Sequence, residues 1–315
     1  MQDDFSVVGR TIHPGMVVNL FLERKERLAS CPGIFRAVLV LSGSAYIVLD
    51  EKKFFIESPC VICLNGSESV NLLKAEGFSC RIVYFKPNVI NFQLTREIAL
   101  LQGDKRGESP FRQDLFWLDP FVSRKREESI LSLGPLSAEH AASMLDTLDK
   151  SLAAQADVFW PCRSRSFFLE FLFYIRNIGT GHEGTFGEGN GREPKVIAEA
   201  KNAELPDKIE DILLYLHTNF RSDIALSSLC DRFATNRTSL NGLFQKTTGR
   251  TVIQYLIALR IHFACLLLRD TTVPVKELVF RSGFNDSVHF ARTFKKVTAM
   301  TPLQYRRKYC LMISG

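Results

Sequence analysis

The sequence predicts an α+β protein built in two parts, a strand-rich N-terminal half and an all-helical C-terminal third. Three observations predict it. Short apolar runs separated by turn residues recur between residues 34 and 85, the pattern of brief strands that pair with near neighbours. One local arrangement of apolar residues occurs twice between residues 226 and 309, on either side of a single long helical run. Charge is divided unevenly: residues 206–315 hold 16 Lys and Arg against 8 Asp and Glu, whereas the whole 315-residue chain holds 40 against 34. A basic helical segment on a faintly acidic remainder predicts one part that meets a polyanion and another with a different task.

Residues 34–41 read as a first strand, Ser42-Gly43-Ser44 as a turn and residues 45–49 as a second strand. Asp50-Glu51-Lys52-Lys53 turns into Phe54-Phe55-Ile56, further strands follow at 61–64, 70–73 and 80–85, and Lys86-Pro87-Asn88 ends the series. Strands this short and closely spaced predict a small β-barrel or sandwich. The one C-x-x-C, Cys60 and Cys63, falls in a strand, where an offset of three sends the side chains to opposite faces. With no second such pair to complete a zinc site, a core role is expected. The eight cysteines follow no framework and are expected as buried thiols.

From residue 89 to 133 short helical pieces are interrupted by Gly103, Gly107 and Pro110. Ser137 is expected to cap a helix over 138–154, and a second helix is expected over 163–178, after Pro161. The second carries Phe167, Phe168, Leu169, Phe171, Leu172, Phe173, Tyr174 and Ile175, apolar nearly all round. Such a helix is either sandwiched within its own domain or forms a dimer interface through Phe168, Phe171, Leu172 and Ile175. Six glycines between 179 and 191 predict a flexible linker over 179–205, which separates a domain of residues 1–178 from one of 206–315. These glycines do not match a nucleotide-binding fingerprint, since no strong strand precedes them. No apolar run approaches the roughly 20 residues that span a bilayer, and residues 1–10 lack a basic stretch followed by an apolar one. The expectation is therefore a cytoplasmic protein with no membrane partner.

Residues 207–219 read as a helix with Ile209, Ile212, Leu213 and Leu216 on one face. In the first copy of the repeated pattern, Leu226, Leu229, Cys230 and Phe233 mark a short helix and Ala234-Thr235-Asn236 a tight turn. Leu240, Leu243 and Phe244 then mark the inner face of a second helix, capped by Asn236 and stopped by Gly249. The second copy runs Val275, Leu278, Val279, then Gly283-Phe284-Asn285, then Phe290, Phe294 and Val297, with Asp286 as the cap. Between them residues 252–269 place Ile253, Ile257, Ile261, Ala264 and Leu268 at helical spacing. A helix of that length, roughly 27 Å at about 1.5 Å per residue, would set two helix-turn-helix units close to one DNA turn apart, about 34 Å. A generic helical bundle explains the apolar stripe but neither the paired turns nor the basic surplus. With the apolar faces inward, Arg237, Thr238 and Asn241 of the first unit and Ser287, Val288, His289 and Arg292 of the second are left for base edges. Arg292 is the candidate for a bidentate pair with guanine, and Lys246, Lys295, Lys296 and Arg306 suit phosphates.

Residues 207–309 resemble the DNA-binding domain of the AraC/XylS family of bacterial transcription regulators. The resemblance rests on Leu226, Leu229, Phe233, Leu240, Leu243, Phe244 and Gly249 in the first unit, and on Tyr255-Leu256, Arg260-Ile261, Ala264 and Leu267-Leu268 in the linking helix. In the second unit it rests on Gly283-Phe284-Asn285-Asp286, Phe290, Arg292, Phe294-Lys295-Lys296 and Thr301-Pro302-Leu303-Gln304-Tyr305-Arg306. Gly242 departs from the pattern, standing where the family often carries a long polar or basic residue, which predicts weaker base reading by the first unit. Val279 and Ser282 depart in packing.

The resemblance implies a cupin-like β-barrel followed by dimerising helices over residues 1–178. It also implies double-stranded promoter DNA and RNA polymerase as partners, a homodimer, and activation governed by a small-molecule effector in the barrel or a regulatory protein on its surface. Phe35, Tyr46, Val48, Phe55 and Tyr84 are the residues expected to line the cavity. An enzymatic cupin would need several His and a Glu on neighbouring strands. His13 and His140, the histidines that precede the linker, are not at ligand spacing, so no metal, cofactor or catalytic residue is expected.

Overall fold

The computed structural model describes residues 5–101, 104–122, 126–179 and 205–310, so nearly all of the expected linker lies outside the described residues. A two-stranded pair, β1 (Val7–Val8) and β2 (Val17–Val18), precedes a six-stranded antiparallel sheet. Its strands are β3 (Leu20–Lys25), β4 (Phe35–Leu49), β5 (Lys52–Glu57), β6 (Cys60–Leu64), β7 (Val70–Phe85) and β8 (Ile130–Ser132). They run in the order β3-β7-β4-β6-β8, with β5 paired to the second half of β4.

Two expected pairs of strands are single long ones. β4 continues through Ser42-Gly43-Ser44, and β7 joins the segments expected at 70–73 and 80–85. The β4–β7 ladder shifts register between Val40 and Ser44. There Gly43 lies at φ +80° and Gly77 at +58°, and a Cβ on Gly43 would sit 2.4 Å from the Glu76 carbonyl oxygen. Glycine at this close approach lets the strands bulge and bend instead of ending. The chain reverses at Asp50 and Glu51, whose φ values of 49° and 70° suit a two-residue hairpin turn.

The bulge also changes which residues face inward. Val38 and Val40 share one enclosed cluster with Ala45, Ile47 and Leu49, joined by Ile56, Cys60, Ile62, Ile82 and Tyr84, so the two halves of the bent sheet close over the same core. The opposite face, with Phe35, Ala37, Leu39, Cys63, Val83 and Phe85, is covered by two helices, α4 (Pro135–Ala154) and α5 (Trp160–Gly179). Cys60 and Cys63 thus fall in different clusters, as their spacing predicts, and all eight cysteines are thiols. The chain between β7 and β8 forms α1 (Arg96–Ala99), α2 (Asp104–Gly107) and α3 (Arg112–Phe116), of which Ala99 and Leu115 join this core. α4 starts ahead of Ser137, with Gly134 as the cap and Pro135 at the first helical position, where proline's fixed φ is already helical.

Phe168, Phe171, Leu172 and Ile175 of α5 are wholly buried in this core, and the Phe168 ring lies 4.8 Å from that of Phe85. Their assignment to a dimer interface is therefore corrected. The sheet on one side and α4 on the other cover the helix, and each of these side chains contributes about 1.5–3 kcal/mol of burial to its own fold.

The C-terminal region contains α6 (Asp207–Asn219), α7 (Leu226–Arg232), α8 (Arg237–Thr248), α9 (Val252–Asp270), α10 (Val275–Arg281), α11 (Ser287–Thr298) and α12 (Pro302–Tyr309). By length and composition the 19-residue α9 is apolar enough to cross a membrane. Here its first half completes a core with Leu213, Leu216, Leu240 and Phe244, and its second half completes another with Leu278, Phe290, Phe294 and Tyr305. Leu243 and Val297, expected inside, are exposed at the edges of these cores.

α6 rests on the outer face of β4, β5 and β7. The Ser44 hydroxyl donates to the Leu214 carbonyl at 2.9 Å, and the Thr218 hydroxyl to the Glu76 carbonyl at 3.0 Å. His217 bridges Glu57 and the Tyr255 hydroxyl, each at 2.8 Å. Lys53 pairs with Glu210, and Lys74 lies 3.6 Å from the same carboxylate.

Candidate nucleic-acid interface

Each of α8 and α11 follows a tight turn and is fixed at its start by a side chain. The Asn236 side-chain oxygen accepts the Ser239 N–H at 2.8 Å, and the Asp286 carboxylate accepts the N–H groups of Val288 and His289 at 3.2 and 2.6 Å. These bonds satisfy donors that a helix start leaves without partners. They hold the Asp286 carboxyl below its usual range, so the cap persists above the ordinary carboxylate range and is lost as pH falls through the lowered value. At the other end, Gly249 and Ala299 take left-handed conformations that stop the helices.

Leu240 and Phe244 anchor the inner face of α8, and Phe290 and Phe294 that of α11, all buried. The outer face of α8 carries Arg237, Thr238, Gly242, Gln245 and Lys246, and that of α11 carries Ser287, Val288, His289, Arg292, Lys295 and Lys296, all exposed. None of the cations Arg237, Lys246, Arg292, Lys295 and Lys296 is held by an ion pair among the described residues. Two amphipathic helices that present small polar groups and unengaged cations have the chemistry of base-edge and phosphate contact.

Two of the expected contact residues are engaged elsewhere. Asn241 is half-buried, and its side-chain oxygen accepts the Val252 N–H at 3.3 Å, which ties α8 to the start of α9. Arg306 is half-buried and donates to the Val273 carbonyl, fastening α12 to the loop before α10. Gln245, Arg307 and Lys308, which were not among the expected contact residues, are exposed as well. For Gln245 a signal existed, because positions 238, 242 and 245 lie one above another on a helix.

A Cβ built on Gly242 meets nothing within 4 Å. Gly242→Ala is accordingly expected to raise the free energy of unfolding by about 1 kcal/mol, read by chemical denaturation. Gly242→Arg should steepen the salt dependence of DNA binding by about one charge.

Of the five side chains expected in a barrel cavity, Tyr84 alone faces the enclosed cluster. Phe35 packs with Phe85 and Phe121 on the helix-covered face. Tyr46 and Phe55 pair across β4 and β5, and Phe55 meets His217 edge-on at 4.8 Å beneath α6. Val48, between the enclosed Ile47 and Leu49, points away from that cluster on the same side as Tyr46. An alternation carried unbroken along β4 would turn Tyr46 and Val48 inward; the bulge at Ser42 to Ser44 reverses it.

Residues 229–308 match a family model described as a helix-turn-helix domain. The chain is 30% identical over 102 residues to the HTH-type transcriptional activator RhaR of Mannheimia succiniciproducens, covering 32% of this chain and 37% of that one. It is 27% identical over 169 residues to RhaR of Cronobacter sakazakii, 54% of each chain. A solved structure of a protein of unknown function from Listeria innocua is 33% identical over 33% of this chain and 98% of the other, with a TM-score of 0.32. The chain thus spans about half or less of the length of the two curated relatives. Both relatives are transcription regulators rather than enzymes.

Proposed function

Residues 229–308 carry the helix-turn-helix domain of an AraC/XylS-family transcription regulator, and from that premise we propose that the chain binds double-stranded promoter DNA through two reading helices, α8 and α11. The carrying observation is their arrangement: two capped helices with unengaged cations pack on the two halves of one buried helix. α9 is 19 residues long, about 28 Å at 1.5 Å per residue, close to the roughly 34 Å between successive major grooves on one side of a duplex.

In this reading residues 1–178 form a cupin-like sensing domain that takes up a small-molecule effector within the bent sheet, in a cytoplasmic homodimer that activates transcription with RNA polymerase. Support for a link between the two tasks comes from α6. One of its faces lies on β4, β5 and β7, and the other completes the core under α8. A change in the bend of the sheet therefore reaches the first reading helix through one rigid element. Dimerisation would use surface other than the buried face of α5.

The test is selection of bound sequences from fragmented genomic DNA of the host, followed by affinity measurements on variants. Arg292→Ala should relax preference at one base pair by about 1–3 kcal/mol. Lys296→Ala should weaken all sequences alike and lower the salt slope by about one. Identical effects of the two substitutions would overturn the assigned roles, and a wild-type protein without sequence preference would overturn the reading itself.

A further inference from the structure

Arg36 lies inside the bent sheet, 1% exposed. It sits on β4 directly across from Leu64 on β6 and Tyr84 on β7. Its Nη1 donates to the Ala29 carbonyl at 2.6 Å, while Nε and Nη2, the two donors along one edge of the guanidinium, are buried without a hydrogen-bond partner. Arginine keeps its charge, and burying that charge with the three N–H donors of Nε and Nη2 unused is unfavourable unless something answers it. Burial pulls the Arg36 pKa down, opposed by Cys31, Tyr84 and Glu68.

The neighbouring acids are occupied. The Glu68 carboxylate accepts the backbone N–H groups of Asn65 and Gly66. Glu23 accepts the Tyr84 hydroxyl at 2.5 Å and pairs with Lys25 at 2.7 Å. Leu64, a member of the enclosed apolar cluster, lies directly across from Arg36, and Phe5 stacks on Tyr84 at 4.3 Å.

We propose that the effector is an organic carboxylate whose head group pairs side-on with Nε and Nη2 of Arg36 inside the sheet, its apolar body lying along the Phe5–Tyr84 wall. The inference rests on the sensing role proposed above and narrows it to one ligand class. The free edge offers two parallel N–H groups, the geometry a planar carboxylate accepts in bidentate fashion. A phosphate would fit the same edge, but a doubly charged group is costlier to strip of water at so buried a site. The segment that carries Ala29, whose carbonyl holds Nη1, is what an incoming ligand displaces.

The experiment is a thermal-shift titration of the full chain with straight-chain monocarboxylates from acetate to decanoate. The amides of the same chain lengths and inorganic phosphate serve as comparison probes. At least one carboxylate should raise the melting temperature in a saturable way, by mass action on the folded state, while its amide does not. Arg36→Met should weaken that response roughly ten- to hundredfold, as expected for loss of a charge-assisted pair, with a melting temperature in plain buffer no lower than wild type. Arg36→Lys, which keeps the charge but not the fork, should respond in between, and it supplies the readout if the methionine variant fails to fold.

If amides stabilise as well as carboxylates, the sensing role stands and the carboxylate inference falls. A response to phosphate alone, or a carboxylate response that survives in Arg36→Met, overturns it as well. If no probe of any kind shifts the melting temperature, the inference falls without bearing on DNA binding, which is measured separately.

Discussion

Replacing Lys53 and Lys74 together by alanine is expected to divide the unfolding of the chain into two transitions. Both lysines reach across from the sheet to Glu210 on α6, and Lys74 also meets Asp207 and Asp211 at 3.2 and 3.0 Å. The two sides of this contact are not equivalent. Glu210 is 2% exposed, whereas the side chains of Lys53 and Lys74 are 40% and 28% exposed. Removing the carboxylate lets the lysines turn toward water, but removing the lysines strands a buried carboxylate, which costs about 3–5 kcal/mol. The chain relieves that cost when α6 leaves the sheet and hydrates Glu210. The penalty therefore falls on the junction between the two regions rather than on either core. Calorimetry of the double variant should show two endotherms where the wild type shows one, and Glu210→Gln should show a smaller effect. A single transition at an unchanged midpoint in the double variant would refute the asymmetry.

That junction is also where the sequence was least informative. Glu210 and His217 read as the polar side of an amphipathic helix whose apolar side is Ile209, Ile212, Leu213 and Leu216, and nothing local distinguishes a hydrated polar face from one pressed on a sheet. Local signals, by contrast, were decisive for α8 and α11. Asn236 and Asp286 marked the first residue of each, because a cap acts within three residues of itself. The spacing of Leu240 with Phe244, and of Phe290 with Phe294, oriented the outer faces correctly.

Failures came wherever a distant partner decides. Whether Ser42-Gly43-Ser44 is a turn or a bulge depends on Gly77, which meets it from another strand, and that choice fixed the facing of Tyr46, Val48 and Phe55. The all-round apolar character of α5 correctly said that it is covered twice, but not that its own sheet and α4 do the covering. Asn241 was lost to a backbone N–H eleven residues away. Arg36 carried no signal at all, since one arginine at the head of an apolar strand is indistinguishable from an edge residue until the strands around it are placed.

The second large effect is expected at Gly283, and the first helical pair supplies its control. Ala234 occupies the corresponding place after α7, with a left-handed φ of 44° and an exposed side chain. The conformational strain of a non-glycine residue there, about 1–2 kcal/mol, is thus tolerated in this protein. Gly283 takes φ +85° in the turn between α10 and α11, but its surroundings differ. A Cβ would lie 2.8 Å from the Phe220 carbonyl oxygen, 2.9 Å from the Arg221 Cα and 3.0 Å from the Arg260 Nε. Those atoms form the seam between the two helical pairs, where Arg260 of α9 donates to the carbonyls of Phe220 and Ser222, both at 2.7 Å. Backbone on one side and a doubly bonded guanidinium on the other leave little room to yield, so overpacking adds about 1–3 kcal/mol to the strain. Gly283→Ala should therefore lower stability by roughly 2–5 kcal/mol, whereas Ala234→Gly, which trades relief of strain against a looser unfolded chain, should change it by less than about 1 kcal/mol. The consequence for DNA follows from the place of the seam. Moving the Phe220 to Ser222 backbone or Arg260 alters how α11 is set relative to α8, so Gly283→Ala should weaken binding to a site that spans two grooves more than to either half alone. Denaturation midpoints and affinities for whole and half sites test both expectations, and equal small losses for the two substitutions would show that the turn conformation, not the seam, governs the position.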